Sequence, residues 1–237
     1  MLDPNHRDTL VAGQLQPGIP AYLEKTYWWA YLRPASIRIF DKMPVVSAIL
    51  WGQYKRLCNA VLTQIRRDDR VLQLACVYGD LSERIAHKIG IDGRLDVVDI
   101  APIQIANLRD KLDGLPQVAP RIGNAADPQP DQYDRVLCFF LLHELPDPLK
   151  SQVVNAALDA VLPGGQAIFV DYARPAAWHP LRPVMAIVFA LLEPFARAMW
   201  RKPIRALVGE RPGFVWQRTS SFGGLYQTVL VTRANTN

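Results

Sequence analysis

The chain has 237 residues, half of them apolar and about a fifth charged, and its formal net charge is +5. This length and composition predict one globular α/β domain with an N-terminal extension, and they exclude a disordered or repetitive chain. The three cysteines, Cys58, Cys76 and Cys138, cannot all pair, which favours free thiols in a reducing cytosol. The first ten residues contain no apolar core, so we do not expect a signal peptide there.

An N-terminal extension and a helical cap are predicted over residues 1–66. Residues 1–20 are rich in proline, glycine and polar groups, and we expect them to be loose. Four aromatic residues then crowd into five positions, namely Tyr27, Trp28, Trp29 and Tyr31. Such a cluster packs by default, and it also suits a cap that closes over an aromatic or quinonoid substrate. After Pro44, the apolar spacing predicts one amphipathic helix over residues 45–65.

A nucleotide-binding unit is predicted between residue 70 and Asp99. Residues 70–75 form a strand buried on both faces, residues 81–89 carry apolar side chains at helical spacing, and a second strand ends at Asp99. Asp99 lies 20 positions after Gly79, where such a unit places the carboxylate that accepts hydrogen bonds from ribose hydroxyls. The sequence therefore predicts a cofactor that contains an adenosine.

The loop between this strand and helix, Cys76–Asp80, contains one glycine, whereas a dinucleotide fingerprint needs three. The carboxylate of Asp80 at the start of the helix repels phosphate, but it suits a ligand that carries an ammonium or sulfonium group, such as S-adenosylmethionine. Asp80 has an equally sufficient role as the cap of that helix. Both roles stay open at this point.

The rest of the domain, residues 67–237, continues the alternation of strands and helices. The remaining elements are predicted as helix 102–112, strand 118–122, strand 135–142, helix 148–161, strand 166–171 after the turn 163–165, and a closing hairpin of strands 214–217 and 226–232. Asn124 or Asp127 is placed to read the amine of an adenine, although Asp127 fits an ordinary polar turn better. His143 and Glu144 follow a central strand, at the edge where open parallel sheets bind ligands.

An apolar and basic insert is predicted at residues 174–212. Between Arg174 and Arg218 the chain has eight Lys and Arg against two Glu, which more than accounts for its net positive charge. The apolar run 183–192 is too short to cross a bilayer core of ~30 Å, which needs ~20 residues. It indicates contact with anionic lipid, a lid over an apolar substrate, or a core helix with solvated ends. Nucleic acid is disfavoured, because the basic groups alternate with apolar ones.

These features in their order resemble the class I S-adenosylmethionine-dependent methyltransferases. The motifs are the strand–loop–helix unit, the acidic strand end, the Asn-Ala turn, FFLLHELPD, and a Pro-Gly-Gly turn before the fifth strand. The resemblance implies a Rossmann-like α/β fold with a seven-stranded, mostly parallel sheet and helices on both faces. To this we add the aromatic cap and the insert before the last hairpin. The loop at residues 76–80 departs from the acidic residue and GxGxG pattern of that family.

A second resemblance covers nearly the whole chain. ACVYGDLSERIA, TYWWAYLRPASIRIFD, ILWGQYKRL and HPLRPVMAIVFALLEPFAR are similar to segments of the rhodoquinone biosynthesis proteins. This resemblance implies that a ring methoxy group of ubiquinone is replaced by an amino group, with S-adenosylmethionine as the amino donor and manganese required, giving rhodoquinone. It also implies a cytoplasmic protein held at the surface of the inner membrane. The alternatives are a conventional methyltransferase acting on a quinone or lipid precursor, and an inactive adenosine-binding module.

Candidate site residues follow from the motifs and the resemblance together. Tyr78, Asp80 and His143 are predicted to be catalytic. Contacts with the cofactor are predicted for Ala75, Val77, Tyr78, Gly79, Asp80, Asp99, Ile100, Asn124, Ala125 and Phe140. Manganese ligands are predicted to be Asp80, His143 and Asp171, with Glu144 and Asp147 as reserves, because oxygen and imidazole donors suit this metal. His143 could instead be an acid or base, and Asp171 could anchor a neighbouring backbone.

Overall fold

The computed structural model describes residues 19–129 and 132–235. Most of the segment predicted to be loose, residues 1–18, lies outside these ranges. The cap that follows is helical, as predicted. It comprises a π-helical turn at Leu23–Tyr27 and the helices α1 (Trp28–Tyr31), α2 (Pro34–Phe40), α3 (Met43–Ile49) and α4 (Tyr54–Leu62). Each of α2 and α3 has a proline in its first turn, where the missing amide costs no hydrogen bond.

The prediction of one continuous helix over residues 45–65 is wrong, because the chain breaks between α3 and α4. Trp51 and Gly52 both adopt left-handed backbone conformations, with φ of 51° and 76°, and a right-handed helix cannot continue through them. Leu50 and Tyr54, on either side of the break, are both buried in the core. The indole of Trp51 also reaches another part of the chain, since its Nε1 donates to Sδ of Met185 at 3.3 Å.

A seven-stranded sheet forms the centre of the molecule. Its strands are β1 (Arg70–Leu74), β2 (Arg94–Asp99), β3 (Val118–Ile122), β4 (Tyr133–Phe139), β5 (Val161–Tyr172), β6 (Phe214–Ser221) and β7 (Tyr226–Arg233). Their order across the sheet is β3-β2-β1-β4-β5-β7-β6. The first five strands are parallel, and β7 is antiparallel to both β5 and β6. The predicted seven-stranded, mostly parallel sheet is confirmed.

The connecting helices are α5 (Leu81–Ile89), α6 (Pro102–Lys111) and α7 (Asp147–Asp159). The chain reverses its direction of progress across the sheet at β1, so right-handed crossovers place α5 and α6 on one face and α7 on the other. Between β1 and β4 the sheet therefore has a topological switch point, which is where open α/β sheets bind ligands.

Strand β5 begins earlier than predicted, at Val161 rather than at residue 166. The predicted turn at residues 163–165 lies inside it, where Gly164 has φ of +78° and the pairing with β4 changes register. This irregularity shifts the start of the strand and leaves its carboxyl end, with Asp171, in regular pairing with β7.

The insert between β5 and β6 contains α8 (Arg182–Leu191) and two short 3₁₀ turns, Ala196–Trp200 and Ile204–Leu207. Helix α8 buries Met185 and Phe189 but exposes Ile187 by 61% and Leu191 by 74%. Among the residues that the structure describes, no helix combines the length and the apolar character that crossing a bilayer requires.

Candidate active site

A cavity of about 660 Å³ lies between the helical cap and the carboxyl ends of β1, β2 and β4. This volume falls within the roughly 300–1,000 Å³ that is usual for small-molecule sites. Eight of the ten residues predicted to contact the cofactor line it: Ala75, Val77, Tyr78, Asp99, Ile100, Asn124, Ala125 and Phe140. Gly79 and Asp80 are not among its lining residues. We call its two sides the Asp99 end, at β1 and β2, and the His143 end, at β4 and β5.

Strained backbone marks both strand ends at the switch point. Ala75, directly after β1, has φ of 72°, and Phe140, directly after β4, has φ of 53°. Side chains other than glycine rarely adopt this conformation, and such residues cluster at functional sites. The amides hold it in place, since Ala75 N donates to Val98 O and Phe140 N donates to Val170 O, both at 2.8 Å.

Asp99 is anchored by backbone amides at the Asp99 end. Its Oδ2 accepts from the amide of Cys76 at 2.7 Å, and its Oδ1 accepts from the amide of Ala101 at 2.8 Å. Burial raises the pKa of Asp99, and these hydrogen bonds oppose that rise. Each carboxylate oxygen has a second acceptor site, so Asp99 can still accept hydrogen bonds from a diol.

The loop after β1 is tied to the cap and to α6. The amide of Gly79 donates to Oδ1 of Asp41 at 2.8 Å, and Nζ of Lys111 donates both to that same oxygen, at 2.7 Å, and to the carbonyl of Gly79. Gly79 has φ of +92°, and a Cβ there would collide with the phenol of Tyr54. The single glycine of this loop is therefore required by close packing against α4.

Tyr78 fastens the cap to the loop. Its hydroxyl donates to the carbonyl of Ala30 at 2.7 Å and accepts from Nε2 of Gln104 at 3.0 Å. Its ring stacks on Tyr31 with ring centroids 5.6 Å apart and on Phe40 at 6.2 Å. Burial raises the pKa of Tyr78. The structure thus places this predicted catalytic residue in the cavity wall, with its hydroxyl already paired.

Asp80 lies beside α5, outside the cavity lining. Its Oδ1 is 3.9 Å from Nη1 of Arg84, and its side chain makes no capping hydrogen bond. The hydroxyl of Tyr54 performs that task instead, since it accepts from the amides of Asp80 and Leu81 at 2.8 and 3.0 Å. Sequence reasoning missed Tyr54, because the cap of α5 comes from a residue 27 positions before its start.

A cluster of ionisable groups forms the His143 end. Nδ1 of His143 lies 3.1 Å from Oδ1 of Asp171, while Nε2 lies 3.8 Å from Oε1 of Glu144 and 3.9 Å from Oε2 of Glu193. The hydroxyl of Tyr31, from the cap, donates to Oε1 of Glu144. The cluster thus joins the 3₁₀ turn Leu142–Glu144 after β4, strand β5, the cap and the insert.

The charged groups of this cluster shift one another's pKa values. Burial lowers the pKa of His143, but the carboxylates of Asp171 and Glu193 outweigh it and raise that pKa to about 9. Burial raises the pKa of Glu144 to about 7 and also raises that of Glu193. Asp171 orients the imidazole through Nδ1, and it also accepts from the amides of His143 and Tyr172, so it anchors backbone as well.

The predicted metal set of Asp80, His143 and Asp171 is not assembled. Within residues 19–129 and 132–235, no group of three or more His, Cys, Asp or Glu side chains is arranged to hold a metal ion. Asp80 lies against α5, and Asp171 contacts His143 from behind, outside the cavity lining. Of the reserves, Asp147 is paired with Lys150 at 2.9 Å.

Sequence reasoning also missed Glu193 and Tyr27 as members of the site. Glu193 follows α8, more than 20 positions after β5, and Tyr27 belongs to the aromatic cluster that was expected to pack or to cover a substrate. Both line the cavity. The sequence marks these two residues only indirectly. Glu193 is a carboxylate at the end of an apolar run, and Tyr27 is a tyrosine next to two tryptophans.

Comparisons with known proteins agree with this architecture. A family model described as "Methyltransferase domain" matches residues 71–165. A ubiquinone biosynthesis O-methyltransferase of Pseudomonas putida is 35% identical over 124 residues, which are 51% of this chain and 50% of the relative. The corresponding protein of Proteus mirabilis is 31% identical over 156 residues, 60% of this chain and 62% of its own length. The chain thus spans about half the length of the first of these relatives.

The solved structure of the N-methyltransferase NodS from Bradyrhizobium japonicum matches with a TM-score of 0.58 at 14% identity. The match covers 82% of this chain and 99% of NodS. At this identity the likeness concerns the fold. Together with the strand order, it confirms the predicted Rossmann-like fold of the class I methyltransferases.

Proposed function

We propose that this chain, which has the fold of class I S-adenosylmethionine-dependent methyltransferases, binds S-adenosylmethionine in the cavity and transfers a group from it to the ring of a quinone. One observation carries the first half of this proposal. Among the described residues that line the cavity are three carboxylates, Asp99, Glu144 and Glu193, and one imidazole, but no lysine or arginine. Such a wall attracts a sulfonium and an ammonium group and repels the pyrophosphate of a dinucleotide.

The Asp99 end is the part of the cavity that suits the nucleoside. The Asp99 carboxylate would accept from the ribose hydroxyls, as in other folds of this class. Ile100 and Phe140 provide apolar surface for an adenine, and the turn at Asn124 and Ala125 provides polar atoms for its edge. Asn124 also holds its own turn, because its Oδ1 accepts from the amide of Ala126 at 3.0 Å.

A quinone is the proposed acceptor because the cap side of the cavity is aromatic and apolar. Trp29, Phe40 and Trp51 line it from the cap, and Val188 and Leu192 line it from α8 and the residue after it. The names of the similar proteins from Pseudomonas and Proteus point to the ubiquinone pathway. S-adenosylmethionine supplies the transferred group, and the protein supplies orientation, exclusion of water and a base.

We propose further that the transferred group is the amino nitrogen. A bond forms between this nitrogen and the ring carbon, and the ring methoxy group leaves as methanol with a proton from the nitrogen. Elimination across the Cα–N bond of the adduct, with a proton from Cβ of the cofactor passing to the nitrogen, then releases rhodoquinone and an unsaturated remnant of the cofactor. The resemblance to rhodoquinone biosynthesis proteins supports this choice. So does the altered loop, in which Val77 and Tyr78 fill the wall and Asp80 faces away toward Arg84. A cationic cofactor bound beside His143 would lower the raised pKa of this imidazole, so that Nε2, with Asp171 on Nδ1, would be free to take a proton from the nitrogen.

Methyl transfer to a ring hydroxyl is the second candidate. The names of the relatives favour it, and a His143–Asp171 pair would serve equally well to deprotonate a phenol. Manganese, which the rhodoquinone resemblance implies, has no fitting set of three ligands among the described residues. No step proposed here therefore passes through a metal.

The test uses doubly labelled S-adenosylmethionine, with ¹⁵N in its amino group and ¹³C in its methyl group. The purified protein is incubated with ubiquinone and, separately, with a quinone-pathway phenol, and the products are analysed by mass spectrometry. We expect ¹⁵N and the loss of one methoxy group in the ubiquinone product. A ¹³C-methylated product without ¹⁵N establishes the methyltransferase instead, and turnover of either kind excludes an inactive module.

Attachment to a membrane surface is the last part of the proposal. The exposed face of α8 carries Ile187 and Leu191, and Arg197, Arg201 and Lys202 are exposed in the segment after it. Apolar groups edged by cations bind anionic lipid. The same helix lines the cavity, so a lipid-soluble quinone could enter from the bilayer beside it.

Sedimentation with vesicles that contain an anionic lipid tests this attachment. Replacing Ile187 and Leu191 together by Gln should weaken binding about 10-fold or more, since each loses much of its ~1.5–3 kcal/mol of burial in lipid. Val215→Gln is the matched control, because Val215 is a similarly exposed apolar residue on β6. Equal binding by the wild type and the double variant would contradict the membrane proposal.

A further inference from the structure

At the His143 end, the carboxylates carry more negative charge than the single imidazole can neutralise. Glu144 and Glu193 both face Nε2 of His143, and Asp171 already occupies Nδ1. Oε2 of Glu193 is buried and has no hydrogen-bond partner within the described structure. A buried carboxylate oxygen without a partner is costly, and a donor that arrives with a ligand would remove that cost.

Tyr27 gives an independent indication of a missing ligand. Its side chain is only 3% exposed, it lines the cavity, and its hydroxyl has no partner among the described residues. The ring of Tyr27 contacts that of Tyr31, with ring centroids 6.2 Å apart, and the hydroxyl of Tyr31 donates to Glu144, so Tyr27 lies beside the His143 end. A buried tyrosine hydroxyl normally finds a partner.

We propose that Glu193, Glu144 and the hydroxyl of Tyr27 form a binding site for a primary ammonium group, namely that of the amino-acid end of S-adenosylmethionine. This inference rests on the proposed function and deepens it. An ammonium group has three donors and no acceptor, and the site offers acceptors on three side chains, from the insert, from the 3₁₀ turn Leu142–Glu144 after β4, and from the cap.

Two features favour an organic ammonium over other cations. No lysine or arginine among the described residues lines the cavity, so the protein supplies no cation there besides His143. The His, Asp and Glu side chains of the described structure also do not group into a metal site. The loop after β1 offers no carboxylate of its own, because Asp80 lies outside the cavity lining.

The position of this site matters for the proposed reaction, because it lies against Nε2 of His143. A bound ammonium lowers the pKa of the neighbouring His143, so that Nε2 releases its proton to solvent. A proton that then passes from the ammonium nitrogen to Nε2 leaves a neutral amine with a free lone pair and a protonated imidazole, and no bond between heavy atoms changes. Asp171 stabilises the imidazolium that results. The site would therefore hold the nitrogen where it can become a nucleophile.

Isothermal titration calorimetry on the full chain tests the site with three probes: S-adenosylmethionine, methylthioadenosine, and Mn²⁺ alone. Methylthioadenosine keeps the nucleoside and lacks the ammonium group.

Glu193→Gln should weaken the affinity for S-adenosylmethionine about 10- to 100-fold, since it removes a charged acceptor. It should change the affinity for methylthioadenosine less than about 2-fold. Tyr27→Phe, which removes an unpartnered hydroxyl, should weaken S-adenosylmethionine roughly 2- to 10-fold. Glu210→Gln, in the exposed part of the insert, is the matched control.

The remaining outcomes separate this inference from the proposed function. Unchanged affinity of Glu193→Gln for S-adenosylmethionine overturns the ammonium site but leaves cofactor binding intact. An equal loss for both nucleosides also overturns it, because the effect then lies outside the ammonium. Mn²⁺ binding by the wild type that disappears in Glu193→Gln overturns it in favour of a metal. If the wild type binds neither nucleoside, the proposed function itself fails.

Discussion

At the Asp99 end of the cavity, one carboxylate is held by two backbone amides, one just after β1 and one just after β2. At the His143 end, side chains from four separate segments hold one imidazole. Asp99 accepts from the amides of Cys76 and Ala101, both close to strand ends. His143 meets Asp171, Glu144 and Glu193, and Glu144 in turn meets Tyr31, 113 positions earlier in the chain. The first end therefore follows from the fold alone, whereas the second depends on how the cap and the insert pack.

We infer from this difference that the two ends serve different parts of the proposed function. The Asp99 end is formed by a strand–loop–helix unit that proteins of this fold class have in common. It therefore suits the nucleoside, which is the part of the cofactor that such proteins share. An end built from additional segments suits what varies, which is the reacting group and the acceptor. Variants at the two ends should accordingly separate catalysis from nucleoside binding.

The largest effect is expected at the His143 end, on the rate. His143→Ala should lower kcat by about 10²- to 10⁴-fold, because a positioned base contributes on that scale. Its affinity for methylthioadenosine should stay within about 2-fold of wild type. Steady-state kinetics with mass detection of the quinone measures the first, and calorimetry measures the second. His87→Ala, at an exposed site where the imidazole lies 3.7 Å from Glu83, is the matched control. A kcat within 3-fold of wild type would remove His143 from the mechanism.

At the Asp99 end, Asp99→Asn should weaken S-adenosylmethionine and methylthioadenosine alike, by about 100-fold. The variant replaces a charged acceptor by a neutral one for two hydroxyl donors, and each hydrogen bond weakens by about 1–1.5 kcal/mol as a result. Calorimetry with both nucleosides measures the loss. Glu193→Gln should instead weaken the affinity for S-adenosylmethionine alone, so these two variants together distinguish the Asp99 end from the His143 end most clearly. A loss confined to S-adenosylmethionine in Asp99→Asn would place the ribose elsewhere.

The sequence predicts the Asp99 end well and the His143 end in part, for the same structural reason. Strand and helix periodicity locates β1, α5 and β2 almost to the residue, and with them Asp99 and the loop that it holds. His143 is found because it follows a central strand. Its partners are not all found, because Glu193 reaches the site through the packing of α8, which no local spacing encodes.

Local spacing in the sequence does not encode tertiary contacts, and this explains two wrong expectations elsewhere in the chain. The helix predicted over residues 45–65 is interrupted, because left-handed conformations at Trp51 and Gly52 let the chain turn, and amphipathic spacing continues across the break. Asp80 has the sequence position of a cap and of a cofactor residue, yet Tyr54 supplies the cap. In the first case amphipathic spacing predicts one helix and does not show the break. In the second, a tertiary contact takes the capping role that the sequence had left open for Asp80.

The charge coupling at the His143 end predicts that stability falls as pH rises. The pKa of His143 is about 9 in the folded chain, against about 6.5 when unfolded. Its stabilisation is therefore complete below about pH 6.5 and is lost as pH rises through 9. The pKa of Glu144 is raised to about 7, so its ionisation lowers stability as pH rises from about 4.5 through 7.

Urea unfolding at pH 7 and pH 9 measures this fall, which we expect to be on the order of 2 kcal/mol from His143. His143→Gln should flatten the decline between pH 7 and pH 9, and Glu144→Gln should flatten it between pH 5 and pH 7. The Asp99 end offers the contrast, because Asp99→Asn should leave the decline above pH 7 unchanged. Stability that rises between pH 7 and pH 9 would contradict the coupling.

The smallest effect concerns the cap, to which a tyrosine hydroxyl makes a hydrogen-bonded link at each end of the cavity. Tyr78→Phe removes the hydroxyl that joins the loop to Ala30 and Gln104 but keeps the stacking on Tyr31. It should lower the free energy of unfolding by about 1 kcal/mol, the usual net value of such a hydrogen bond. Urea unfolding with an unchanged m-value measures this loss.

Tyr31→Phe is the matched variant at the other end, since it removes the donor to the buried Glu144 and keeps the ring. Because that carboxylate then loses a hydrogen bond in a buried place, its pKa should rise further and the decline in stability between pH 5 and pH 7 should shift to higher pH. Tyr78→Phe should leave this pH dependence unchanged, because its partners are a carbonyl and an amide. If the two variants move the pH dependence equally, the cap acts on both ends through one shared contact, and the division between them does not hold.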